Sequence, residues 1–178
     1  VSDNGIGMDK QDLISALGSI ASSGTRAFME KIQRPAAGQD RETDGGSDSA
    51  ANLIGQFGIG FYSAFIVAKH VDVETRRAGE TSAWRWSSQG KGEYTIEPLA
   101  ADAMPSPGTR VILHLRDDAE EFLDNYRIEA IVKKHSQSIS IPVSLTSGED
   151  ETCVEITGGQ VIWTRPKSEI SSEEYTAF

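Results

Sequence analysis

Two glycine clusters, DNGIG at 3–7 and GQFGIG at 55–60, flank a long polar stretch, and each runs into an apolar segment. Glycine tolerates positive φ and lets a ligand or another backbone come close to the main chain, so each cluster reads as a tight turn. Both turns open onto segments with helical spacing. A helix entrance gathers N–H groups that attract phosphate without any basic side chain. The chain must therefore accommodate two loop-to-helix junctions, either as independent turns or as two walls of one site.

The remaining pattern predicts the surroundings. Residues 1–3 end a strand, 4–7 turn, and 8–17 form a helix with apolar residues at 8, 13, 14 and 17. Asp9 and Asp12 fall in its first turns, where carboxylates complement the helix dipole, and Gly18 can stop it. A short helix is predicted at 26–32, a polar loop at 34–52, and a buried helix over the apolar tail of 55–68. Strands are predicted at 71–76, 82–87, 92–97 and 108–115, with QGKG at 89–92 as a turn. An amphipathic helix follows at 126–139, with Ile128, Ile131, Val132 and Ile139 near one face and Pro142 ending it. Strands at 142–145 and 153–157 and a break at Gly158-Gly159 complete the order. The expected fold is α+β: a two-layer sandwich, mostly antiparallel sheet with helices on one face.

Charge narrows the partners. Acidic residues outnumber basic ones 27 to 17, net charge −10, and no basic cluster stands out. Neither nucleic acid nor an anionic membrane surface is expected, since both require concentrated Lys and Arg. No apolar run approaches the roughly 20 residues of a membrane span. The single cysteine, Cys153, cannot form an intramolecular disulfide and fits a reducing compartment. The 178 residues start without Met and directly within a motif, as expected of an internal fragment.

An acidic chain can still bind a polyanion through backbone N–H groups, with a divalent cation offsetting the remaining charge. The second cluster is not a Walker A loop, because no Gly-Lys-Ser/Thr follows, and no strand clearly precedes it as a Rossmann fingerprint requires. Taken alone, each cluster is an ordinary turn. Asp3 changes the balance. A carboxylate accepts hydrogen bonds only, so it cannot hold phosphate but can hold the exocyclic amine of adenine. One site would then use Asp3 for the base and Gly58 to Phe61 for the phosphates. Asp before Asn-Gly also forms turns unaided, so the pairing of the two clusters carries this reading.

Five stretches, SDNGIGM, LGSIASSGTRAF, IGQFGIGFYSAFIVA, GTRVILHL and IWTRPKSEISSEEYTAF, stand in the order found in the heat-shock protein 90 chaperones, which the whole chain resembles. The short join at 146–160 is similar to bacterial or organellar members. The resemblance implies an ATP-binding domain at 1–157, lacking its first strand and helices, and a linker with the start of a middle domain at 158–178. Asp3 matches the adenine-reading aspartate, Gly7 and Met8 the lining of the adenine pocket, and Thr109 a threonine that helps hold adenine. Gly55, Gln56, Phe57, Gly58, Ile59, Gly60 and Phe61 match the phosphate-binding segment. Residues 18–60 match a lid that folds over ATP. ATP or ADP, with Mg2+ bound through the nucleotide, is the implied cofactor. Unfolded or partly folded client proteins and a homodimer are implied for the full-length protein, in the cytoplasm or alternatively in mitochondria.

The chain also departs from the family pattern. Ala16 replaces a hydrogen-bonding residue common in relatives, Ser22 replaces a basic one, and the polar insert around 38–49 lengthens the lid. The family's general-base glutamate and magnesium-holding asparagine lie on a helix upstream of SDNGIGM, so no catalytic residue is assigned here. The other reading is a different enzyme of the same superfamily, a histidine kinase or topoisomerase subunit. A third is a binding module whose glycine turns are structural. His70, His114 and His135 show no partner at metal-ligand spacing and read as surface or core residues. Trp84 and Trp86 alternate on a strand to cover one sheet face, Glu120 and Glu121 read as a solvated helix face, and Cys153 as a half-buried strand residue.

Overall fold

The structure is a computed structural model that describes residues 1–18, 58–100, 102–136, 139, 141–146 and 153–157. The helix expected at 26–32, the loop at 34–52 and the break at 158–159 lie outside them. Two compact units divide the chain, Val1–Arg116 and Asp117–Phe178.

The first unit is built on an antiparallel sheet. Its strands are β1 (Ser2–Asp3), β2 (Ala68–Arg76), β3 (Ala83–Ser88), β4 (Tyr94–Leu99) and β5 (Gly108–Leu115), in the order β1-β5-β2-β3-β4. Two hairpins lay β3 and β4 outward from β2, and β5 returns to the other side of β2. Period-two alternation then sorts the side chains. Val71 and Val73 of β2 pair across with Trp86 of β3 and with Val111 and Leu113 of β5 on one face. A register shift between Ala68 and His70 lets Ala68 join them.

Helix α1 (Lys10–Leu17) covers that face and sinks Leu13 to zero exposure, a burial worth about 2 kcal/mol. Phe61, Ala64 and Phe65 pack against the same cluster, and Phe61 meets the Trp86 ring edge-on at 5.6 Å. Trp84 and Trp86 share this face as expected, with Lys10 Nζ 5.2 Å from the Trp84 ring. The α+β sandwich with helices on one face is therefore observed.

The apolar tail of the second cluster departs from expectation. It forms a 3-10 helix, Gly60–Ile66, with no fully buried residue, and Ile66 is 70% exposed. FYSAFIV is apolar nearly all round and carries no stripe that dictates a 3.6-residue period. Three residues per turn put Phe61 and Ala64 in one row above the sheet before the chain enters β2 at Ala68.

Asp9 is the N-cap of α1 and forms a capping box. It accepts the Asp12 N–H at 2.8 Å, and the Asp12 carboxylate accepts the Asp9 N–H at 3.2 Å. Arg77, just past β2, ion-pairs with both. Asp9→Ala is expected to cost about 1 kcal/mol in chemical denaturation at neutral pH. The Asp12 N–H bond, against burial and helped by Gln11 N–H and Arg77, holds the Asp9 carboxyl below its ordinary value. Its contribution is thus present above the unfolded pKa and is lost as pH falls through the folded one. Parent and variant stabilities should converge in acid.

In the second unit, a 3-10 segment Asp117–Leu123, broken at Ala119, leads to α2 (Asn125–Ser136). Ile128, Ile131 and Val132 are half-buried, and α2 lies against the second strand of the hairpin β6 (Val143–Thr146) and β7 (Cys153–Thr157). Glu120 and Glu121 are exposed as expected. Cys153 is exposed rather than half-buried, on a two-stranded sheet where alternation alone gives no second layer to cover it.

Candidate functional site

Sheet register builds one side of the site. Asp3 of β1 stands opposite Thr109 of β5, and Thr109 stands opposite Thr75 of β2, so the three form a row across adjacent strands. Asp3 Oδ1 accepts the Gly5 N–H at 2.9 Å and the Thr109 N–H at 3.2 Å. Among the described residues Oδ2 has no hydrogen-bond partner, and the residue is exposed. Thr75, fully buried, accepts the Met8 N–H at 2.9 Å and donates to the Gly108 carbonyl at 3.0 Å. Its single proton is then spent, so the Thr109 hydroxyl, 3.2 Å away, donates to it and keeps acceptor capacity for a neighbour.

The turn between β1 and α1 is pressed onto the end of β2. Ile6 O accepts the Ala78 N–H at 2.8 Å. Gly7 has φ 67°, and a Cβ there would stand 1.9 Å from the Arg76 carbonyl oxygen. Gly108, at φ 140°, is wedged the same way, with the Asp3 carbonyl oxygen 2.3 Å from where a Cβ would be. The structure thus brings Asp3, Gly7, Met8 and Thr109 together. It adds Thr75 and Gly108, which sequence reasoning missed. Their only signal was the register opposite Thr109 and the glycine opening GTRVILHL.

Of the second cluster, Gly55, Gln56 and Phe57 lie outside the described residues. Gly58 has φ 64° and Ile59 is exposed. Gly60 is exposed, with no described atom within 4 Å of a Cβ and no backbone need for glycine. The Phe61 ring is spent on the core, so only its main chain is left to meet a ligand. The Tyr62 hydroxyl donates to the Leu17 carbonyl at 3.3 Å. The second cluster is thereby fastened to the C-terminal end of α1, the helix whose entrance Gly7 and Met8 form.

The other face of the sheet is polar. His70 Nε2 lies 3.0 Å from Asp72 Oδ1, and His114 Nε2 2.8 Å from Asp72 Oδ2, while Ser87 donates to Oδ1. His70 and His114 therefore do have a shared partner, contrary to the sequence expectation. His70 and His114 are directly paired across β2 and β5. Burial would raise the Asp72 pKa, but bonds from Ser87, His114 and His70 outweigh it and hold the carboxyl below its ordinary value. Beside it, Glu74 is 4% exposed and bonded to Arg85 and Arg110.

Residues 1–110 match the family described as histidine kinase-, DNA gyrase B-, and HSP90-like ATPase. The chain is 48% identical over 178 residues to the chaperone protein HtpG of Mesorhizobium japonicum. It is 46% identical over 180 residues to the HtpG of Methylorubrum extorquens and 47% over 178 to that of Azorhizobium caulinodans. Each match covers 100% of this chain and 26–27% of the relative. The chain thus spans about a quarter of the length of the curated relatives it matches.

Proposed function

This chain belongs to the histidine kinase-, DNA gyrase B- and HSP90-like ATPase family, and from that premise we propose that it is the ATP-binding part of a heat-shock protein 90 type chaperone. One observation carries the reading. Asp3 is fixed through Oδ1 by two backbone N–H groups, one of them from its cross-strand partner Thr109, which leaves Oδ2 without a hydrogen-bond partner among the described residues. An acceptor held this way suits the exocyclic amine of adenine and opposes the carbonyl of guanine. Gly7 and Met8 form the adjoining wall. Gly58 to Phe61, with Gly55, Gln56 and Phe57 before them, supply main-chain N–H groups to the phosphates, and the absence of any described atom within 4 Å of a Cβ at Gly60 supports close approach there.

Mg2+ enters with the nucleotide rather than on side chains of this chain. Residues 18–60 act as the lid over bound ATP. In the full-length protein, ATP hydrolysis, homodimerisation and the handling of unfolded client proteins follow from the likeness to HtpG. The bacterial relatives favour the cytoplasm over the mitochondrial alternative, and their chaperone names favour this reading over a histidine kinase or topoisomerase subunit.

Calorimetry with ADP on the full-length protein tests the proposal. In Asp3→Asn the amide oxygen is needed by the Gly5 and Thr109 N–H groups, which leaves an N–H2 facing the adenine amine, and ADP is expected to weaken by about 1–3 kcal/mol. Guanine nucleotide should not bind the parent, whose carboxylate opposes the guanine carbonyl. Unchanged ADP affinity in a folded variant would overturn the assignment.

A further inference from the structure

We infer that His70, Asp72 and His114 form a binding site for a divalent transition-metal ion, zinc foremost, on the polar face of the sheet. The three side chains each offer one ligand atom, and these atoms lie within 4.8 Å of one another. Two imidazoles with one carboxylate is a donor set suited to zinc and its first-row neighbours.

The spacing fits. Zinc sits about 2.0–2.2 Å from nitrogen and oxygen ligands, so neighbouring ligands of a tetrahedral ion stand on the order of 3.3 Å apart. The two Nε2 atoms already stand 3.0 and 2.8 Å from the Asp72 oxygens. The ion would replace these two hydrogen bonds and draw the three ligand atoms, already within 4.8 Å of one another, around itself, with the imidazole protons moved to Nδ1.

The frame is rigid. His70 and Asp72 are two apart on β2 and so share a face, and His114 is His70's direct partner on β5. Sites carried by paired strands keep their geometry better than sites on loops. Ser87 bonds Asp72 from β3 and orients the carboxylate, as outer-shell partners of metal ligands do. Access is open as well. The His114 side chain is 47% exposed and that of His70 33%, so one coordination position faces solvent. Lys69, Lys91 and Arg116 line the adjoining groove. Their charge works against a bare dication and favours one carrying an anion in that open position. Thr75 and Thr109 face the opposite side of the sheet, so this site is separate from the one proposed for nucleotide.

The test is calorimetric titration of Zn2+, and absorption titration of Co2+, into the intact protein without nucleotide, and into His70→Ala, His114→Ala and Asp72→Asn. One equivalent of zinc should bind the parent, more than about 10-fold weaker in each variant, and Ser87→Ala should weaken it about 10–100-fold. The visible Co2+ bands should disappear in His114→Ala, whose half-exposed ring can be removed without opening the core. Cys153→Ser, which removes the one thiol of these 178 residues, should bind zinc as the parent does. Zinc affinity unchanged in the three ligand variants, or no binding to the parent, would overturn the site and leave a hydrogen-bonded network only.

Discussion

Gly7→Ala is expected to destabilise the first unit by on the order of 4 kcal/mol, a large share of the 5–15 kcal/mol that holds a typical domain folded. Two terms add. Alanine at φ 67° costs about 1–2 kcal/mol for its left-handed backbone. The new Cβ would also stand 1.9 Å from the Arg76 oxygen and 2.6 Å from its carbonyl carbon. Both are backbone atoms at the end of β2, so no rotamer change relieves the overlap, and the turn must lift away. That movement breaks the Met8–Thr75 and Ile6–Ala78 bonds. Gly60→Ala is the internal control, since it meets no described atom within 4 Å and should shift stability by no more than about 0.5 kcal/mol. Gly7→Asn separates the two terms. Asparagine tolerates the left-handed region but carries the same Cβ, so it should rescue little. Urea denaturation of the three variants decides it. A Gly7→Ala midpoint equal to the parent's would show that the turn is not seated on β2.

What was legible in the sequence was what depends on local period and turn chemistry. Alternation in KHVDVETR, WRWSS and RVILHL gave the strands within a few residues, and the apolar spacing at 8, 13, 14 and 17 gave α1 with its start two residues early, Asp9 being the N-cap rather than a first-turn residue. The 3-10 helix at Gly60–Ile66 was misjudged because an all-apolar stretch has no periodicity to read. The turn that carries Asp3 in the candidate site was legible because glycine and aspartate chemistry is local, and Thr109, which the structure sets beside it, came from family likeness. Thr75 was not legible. Its role rests on standing opposite Thr109, and register is settled by the packing of whole strands. The same holds for His70 and His114, 44 residues apart in sequence yet directly paired. Searching for ligands at short spacing could not find them.

Register also sets the second large effect. Glu74 lies in the middle strand of the sheet, directly opposite Arg85 on β3 and Arg110 on β5, and each carboxylate oxygen is bonded to one guanidinium. Its side chain is 5% exposed, whereas those of the arginines are 43% and 47% exposed. The ion cluster is therefore asymmetric. Removing both arginines, as Arg85→Met with Arg110→Met, leaves a carboxylate that water cannot reach, and a loss of about 3–5 kcal/mol is expected at neutral pH. Glu74→Leu leaves two guanidinium groups that can turn to solvent, so its cost should be near 1 kcal/mol, the range of a partly exposed pair. The triple replacement removes both the charge and its partners. A buried ion cluster exchanged for apolar side chains of similar size is often neutral or stabilising, so the triple variant should recover most of the stability lost by the double. Chemical denaturation of the parent and these variants gives the coupling directly. If the double arginine variant costs no more than Glu74→Leu, the carboxylate is hydrated on that face, and the polar network is a surface feature rather than a buried one.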